Sequence, residues 1–127
     1  AAAPDFTERM LLAGLSPTDR ATLEREGRLE RPSQYSPEPS VFTWKLIEEG
    51  RDHLLLDKAL SLPCRVRLLH GQSDPDVPWQ YSLQIAEHLD APEVVTTLVK
   101  GGDHRLSTPT DIDRLIAAVE DLLPRSP

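Results

Sequence analysis

Hydrophobic and polar positions follow different patterns in the two halves of the chain. Up to about Ser40 the chain shows little strand character. From Pro63 onward short β-branched runs alternate with amphipathic stretches. In the first half, Phe6–Leu12 fits a short helix with Asp5 or Thr7 as its cap, Glu8 in its first turn and Gly14 as its stop. Ser16-Pro17-Thr18-Asp19 reads as an N-cap, a proline at the first helical position and an acid at N3, which predicts a helix to Glu26 closed by Gly27. Ala21 and Leu23 are its obvious apolar contacts, so it covers a surface rather than fills a core. Arg31–Ser40, with Pro32, Pro37 and Pro39, is a loop. Val41–Leu56 is predicted as a helix whose broad face carries Phe42, Trp44, Leu46 and Ile47, with Gly50 as a break or kink.

The second half reads as two strand–helix pairs. Cys64–Leu69 is a short strand in which Arg65 and Arg67 alternate with Val66 and Leu68. Trp79–Leu89 carries Leu83, Ala86 and Leu89 on one stripe, widened by Ile85, and Asp90-Ala91-Pro92 ends it. Val94–Val99 is dense in valine and threonine, as strands are. In the last helix Thr110 is the expected N-cap, and Ile112, Leu115, Ile116, Val119, Leu122 and Leu123 keep a 3.6-residue period until Pro124. Two strands separated by a helix imply a parallel pair with a right-handed crossover. Parallel sheets are normally several strands wide with helices on both faces, so this edge needs a sheet to join. An α/β class follows, with the chain expected to be part of something larger. The alanines that open it, Ala1-Ala2-Ala3-Pro4, fit the tail of a preceding strand or turn.

Composition narrows the partners. The 127 residues are 39% hydrophobic and 28% charged, a globular balance, and the net charge of −7 argues against nucleic acid or an anionic membrane as the main partner. No apolar run approaches the length of a membrane span, and no segment reads as a signal peptide. A single cysteine, Cys64, excludes an internal disulfide framework and a Cys-rich metal site; beside Pro63 and ahead of a strand, it is expected to be a small buried hydrophobe.

Chemistry concentrates at the ends of the two strands. His70-Gly71-x-x-Asp74-x-x-Val77-Pro78 delivers a carboxylate just past a glycine turn, and Gly101-Gly102-Asp103-His104 presents an imidazole in the same way. A histidine acting as a base needs a carboxylate to fix its tautomer and to stabilise its protonated form. Taken alone, each residue has a plainer role: an aspartate at a strand end commonly forms a turn or caps a helix, and a histidine after Gly-Asp sits in a surface turn. Asp74 and His104 gain weight by occurring together, in this order, on consecutive strands. Asp76 is expected to cap the helix opened by Pro78-Trp79, and His70 to pack at the strand end. No function attaches to His53 or His88. The spacing of His70, Asp74, Asp76 and His104 offers no paired ligands for a metal site, so no metal and no cofactor are expected. A nucleophile is missing: no Gly-x-Ser-x-Gly occurs, and Ser16 in Gly14-Leu15-Ser16-Pro17 follows a helix and reads as an N-cap.

From about Leu62 to Leu123 the chain resembles the C-terminal part of an α/β-hydrolase. "LLHGQSDPDVPW" resembles the acid loop of that family and "KGGDHRLS" its histidine loop, in the order acid then histidine. With "RVRLLHG" and "DVPWQYSLQIAEHL", the resemblance narrows to the small serine hydrolases akin to abhydrolase-domain protein ten, acyl-thioester and ester hydrolases of bacteria and mitochondria. The resemblance implies that residues 1–60 are a helical lid segment and 61–127 the C-terminal β-α-β-α of the hydrolase core. It implies Asp74 as triad acid and His104 as base, with Phe42, Trp44, Leu46 and Trp79 as candidates to line an acyl pocket. It also implies a small acyl ester or thioester substrate, a nucleophile serine on an N-terminal half that the chain would need as partner, and a soluble intracellular setting, cytoplasmic or mitochondrial matrix. The chain alone is then expected to be inactive. The alternative from a different class is a non-catalytic truncated module that pairs with another chain through an exposed sheet edge.

Overall fold

One tetrapeptide pattern opens two of the helices. Ser16-Pro17-Thr18-Asp19 starts α1 (Pro17–Glu26), with the Ser16 hydroxyl accepting from the Asp19 N–H at 3.0 Å. Thr108-Pro109-Thr110-Asp111 starts α4 (Pro109–Leu122) by the same device: Thr108 Oγ1 accepts from the Asp111 N–H and donates to the Asp111 carboxylate at 2.6 Å. The cap of the last helix is thus Thr108 rather than the expected Thr110. Proline at the first helical position forfeits an N–H that would be unpaired there anyway, which makes Thr108 the better cap.

The structure is a computed structural model that describes residues 1–124. The chain forms two compact units: Pro4–Leu55, and Leu56 onward together with Ala1–Ala3.

The Pro4–Leu55 unit contains a π-helical turn (Thr7–Leu12), α1, the antiparallel strands β1 (Arg28–Arg31) and β2 (Ser40–Thr43), and α2 (Trp44–Arg51). Its core is Leu12, Leu23, Leu29 and Ile47, with Leu11, Leu15 and Trp44 packed against it. Leu23, one of the two apolar contacts expected of α1, is fully buried here, so that helix reaches into the core it was expected to cover. The single helix expected over Val41–Leu56 is a strand followed by a shorter helix. Thr43 divides them: it is extended, and its hydroxyl accepts from the Leu46 N–H at 3.2 Å as an N-cap. The partner strand Arg-Leu-Glu-Arg carries one apolar residue, too little alternation to announce itself. α2 ends at Arg51, one residue past Gly50, where a break was expected, and a Cβ on Gly50 would lie 2.5 Å from Thr7 Oγ1, so glycine lets the π-helical turn approach. At the base of the unit Asp5 accepts from the Leu55 N–H at 2.7 Å.

In the second unit β4 (Val66–Gly71) and β6 (Val94–Val99) run parallel in the register Val66↔Val94 to Gly71↔Val99. A shorter parallel pair joins β3 (Leu60–Ser61) to β5 (Leu89–Asp90). The helix α3 (Gln80–His88) crosses between β4 and β6, and α4 follows β6. This is the β-α-β-α order expected, with the first strand two residues later than Cys64–Leu69. The shift leaves Cys64 outside the strand and exposed, so it is not the buried hydrophobe expected of it. Arg65 and Arg67 anchor α4: Arg65 donates to the Leu122 carbonyl at 2.9 Å, and Arg67, whose side chain is 10% exposed, pairs with Asp121 and Glu93. Asp121 is the largest influence that holds the Arg67 guanidinium more firmly protonated than usual. Ile112, Leu115, Ile116 and Val119, the apolar stripe of α4, are 41–50% exposed.

Candidate active site

The turn after β4 is built around one carboxylate. Asp74 Oδ1 accepts from the Asp76 N–H at 2.8 Å and the Val77 N–H at 2.9 Å, so the side chain folds its own loop. Asp76 therefore spans the turn rather than capping α3, whose first residues are preceded by Trp79 with no side-chain cap. The turn after β6 repeats the device: Asp103 Oδ1 accepts from the Arg105 N–H at 3.1 Å and the Leu106 N–H at 2.9 Å. This holds Leu106 at φ 45°, a left-handed conformation that a branched side chain rarely adopts, while Gly101 at φ 75° makes the turn itself. The crossing of the two loops is fixed by Gly71. A Cβ on it would fall 2.2 Å from the Gly102 carbonyl oxygen and 2.4 Å from that of Asp103. Its φ is not left-handed, so close approach explains this glycine better than a sharp turn. Ser73 N–H to the Gly102 carbonyl and Gln72 N–H to the Val99 carbonyl, both 2.9 Å, tie the loops together.

The crossing brings Asp74 and His104 into contact. Asp74 Oδ2 lies 2.9 Å from His104 Nδ1; the carboxylate side chain is 1% exposed and the imidazole 40%. A carboxylate can only accept here, so Nδ1 carries the proton and Nε2 keeps its lone pair. Burial pushes the Asp74 carboxyl upward. The hydrogen bonds from the Val77 N–H, His104 and the Asp76 N–H outweigh that and hold it below the ordinary carboxylate value. It is therefore ionised at neutral pH and able to stabilise a positive imidazole. His104 borders a cleft of about 340 Å³ whose walls include Leu68, Leu69, Leu106 and Leu115.

The other expected residues are placed as follows. Trp44 packs on the core of its own unit, with Arg51 5.5 Å from its ring centre. Phe42 is half-buried and Leu46 more exposed in that unit, and Trp79 is half-buried just before α3. Asp74, Asp76 and His104 converge closely enough to hold a cation, their ligand atoms lying within 4.8 Å of one another. Asp74 already spends both oxygens on backbone N–H groups and the imidazole, which suits an orienting carboxylate better than a metal ligand.

One arrangement had no signal in the sequence. His70 is fully buried, its Nδ1 2.6 Å from Ser82 Oγ on α3 and its Nε2 2.9 Å from the Val77 carbonyl and 3.4 Å from Asp74 Oδ2. His70 and Ser82 are twelve residues apart on different elements, and only the packing of α3 on β4 unites them.

Comparison with known proteins gives these loops relatives. A hydrolase crystal structure from Agrobacterium vitis S4 superposes with a TM-score of 0.90 at 45% identity, over 96% of this chain and 47% of that one. The chain has the fold of the C-terminal part of an α/β-hydrolase. A second structure, alpha/beta hydrolase domain-containing protein 10 from mouse, matches at TM-score 0.82 and 36% identity over 96% of this chain and 48% of its own. Among curated proteins the mitochondrial palmitoyl-protein thioesterase ABHD10 of mouse is 40% identical over 102 residues, and the human protein 36% over 103. The chain spans about a third of the length of those relatives, 34% and 33%. No protein-family model matches it. Among the described residues no helix is long and apolar enough to cross a membrane.

Proposed function

We propose that the chain supplies the acid and base of a Ser-His-Asp triad in an esterase or acyl thioesterase, with Asp74 the acid and His104 the base. The observation that carries this reading is the 2.9 Å contact of a buried, ionised carboxylate with His104 Nδ1, which leaves Nε2 ready to accept a proton. In the reaction, a serine from the remainder of the hydrolase fold attacks the acyl carbonyl as His104 Nε2 takes its proton. His104 returns that proton to the departing alkoxide or thiolate, and a water then repeats the cycle to free the acid. Asp74 keeps its charge throughout and orients the ring. The names of the curated relatives, mitochondrial palmitoyl-protein thioesterases, favour an acyl thioester as substrate and, of the cytoplasmic and mitochondrial-matrix settings expected, the mitochondrial one.

The remainder of the fold is the proposed partner. The apolar stripe of α4 and the two-stranded β4–β6 pair are surfaces that a wider sheet would cover. The open edge of the β4–β6 pair also suits a non-catalytic module that pairs with another chain through a sheet edge, the second reading. We assign the Pro4–Leu55 unit to the lid. Phe42, Leu46 and Trp79 stay candidates for the acyl pocket; Trp44, packed on the unit's core, is the weakest of the four.

The chain by itself is expected to take no label from a fluorophosphonate probe, Ser82 included, since that serine is 1% exposed. In the complete hydrolase Asp74→Asn is expected to lower kcat by about 10⁴-fold, the scale known for the acid of such triads. Near-normal turnover in Asp74→Asn, or a labelled serine within the 127 residues, would overturn the proposal.

A further inference from the structure

His70, Ser82 and Asp74 form a second Ser-His-Asp array, and its geometry is unsuited to attack. Ser82 and His70 are 1% and 0% exposed, so no acyl carbonyl reaches the hydroxyl. The hydrogen bonds also run the wrong way for a nucleophile. The Val77 carbonyl can only accept, so His70 Nε2 carries the proton and donates at 2.9 Å. Nδ1 is then an acceptor, and the Ser82 hydroxyl donates to it at 2.6 Å. The chain of donors points from α3, through the strand-end imidazole, into the acid loop.

That loop is the one that holds Asp74. Val77 gives its N–H to Asp74 Oδ1 and its carbonyl accepts from His70, so the residue is gripped on both sides. His70 Nε2 also lies 3.4 Å from Asp74 Oδ2, the oxygen that faces His104. We propose that His70 is a positioning residue of the site: oriented by Ser82, it fixes Val77 and with it the Asp74 oxygen that holds His104 in its Nδ1–H tautomer. The proposal deepens the Asp74–His104 reading and rests on it. It goes beyond strand-end packing, because an apolar side chain of similar volume would fill the space and supply no donor.

The tautomers can be read directly by long-range ¹H–¹⁵N correlation spectra of the imidazoles in the full 127-residue chain, with both rings neutral. The native chain is expected to show His70 as Nε2–H and His104 as Nδ1–H. His70→Met removes the donor and keeps much of the volume. It is expected to lower the Nδ1–H to Nε2–H ratio of His104 by about fivefold, the scale of one lost hydrogen bond. His70→Gln, whose terminal amide can still reach the Val77 carbonyl, is expected to restore most of it. Ser82→Ala removes a single oxygen and serves if His70→Met does not fold; a smaller shift of His104 in the same direction is expected. An unmoved His104 signature in His70→Met, or in Ser82→Ala where that variant stands in, overturns the positioning role. A His104 signature unmoved by Asp74→Asn overturns instead the triad reading beneath it, and the positioning role falls with it.

Discussion

The two loops of the site are made the same way and behave differently. Each follows a parallel strand, and each is folded by an aspartate that accepts from two backbone N–H groups, Asp74 from residues 76 and 77, Asp103 from residues 105 and 106. Asp74 is buried and has a second oxygen left for the neighbouring loop; Asp103 is exposed and shapes only its own. The acid loop is thus a fixed platform, gripped from β4 and α3. The histidine loop is laid over it and takes its orientation from it. An open α/β fold can build a site this way because both strands end at the same edge.

The sharpest way to break the comparison is at the crossing itself. Gly71→Ala puts a methyl group into the Gly102 and Asp103 carbonyls, and backbone has no rotamer with which to yield. A loss of about 3 kcal/mol in urea unfolding is expected, the upper range for overpacking; an unchanged midpoint would show that the loops separate freely.

Next comes the contrast between acid and base. Asp74→Ala strands two backbone N–H groups and an imidazole and is expected to cost about 2 kcal/mol. His104→Ala, at an exposed position, is expected to stay within about 0.5 kcal/mol, although both should abolish turnover in the complete hydrolase. The acid has its own pH signature. Its folded value is depressed, so its contribution is fully present above the unfolded carboxylate value of about 3.9 and is lost as pH falls through the lower folded value. An acid limb that survives in Asp74→Asn would assign it to another group; Asp111, which the Thr108 hydroxyl holds low against the pull of burial, is one such group.

Of the two loop aspartates Asp103 has the smaller part: Asp103→Ala leaves Leu106 in its left-handed conformation without its side-chain restraint. About 1 kcal/mol is expected by thermal unfolding, and a loss as large as that of Asp74→Ala would make the two loops equivalent after all.

How far these features were legible depends on whether they are local. β6 was readable because a run of valine and threonine has one sensible conformation, and α1 because serine, proline, aspartate and a closing glycine act within a few residues of one another. Asp74 and His104 were readable as a pair from their place at consecutive strand ends. The α4 cap is harder to read although it repeats the α1 motif, because Thr110 also precedes acids and competes with Thr108 for the cap position. β1 and β2 were missed because their pairing joins residues a loop apart, with Leu29 the buried apolar residue of β1. The close approach at Gly71 and the Ser82–His70 bond arise from contacts between elements, which no local pattern carries.

The Asp5–Leu55 hydrogen bond has a consequence of another kind. Residues fifty positions apart meet at 2.7 Å, so the segment between them departs and returns through a single doorway. A segment with adjoining ends can be lengthened, shortened or replaced with little change to the chain on either side. The Pro4–Leu55 unit is therefore a cassette. Over evolutionary time it can be rewritten on its own, while the two loops that carry the carboxylate and the imidazole keep their register.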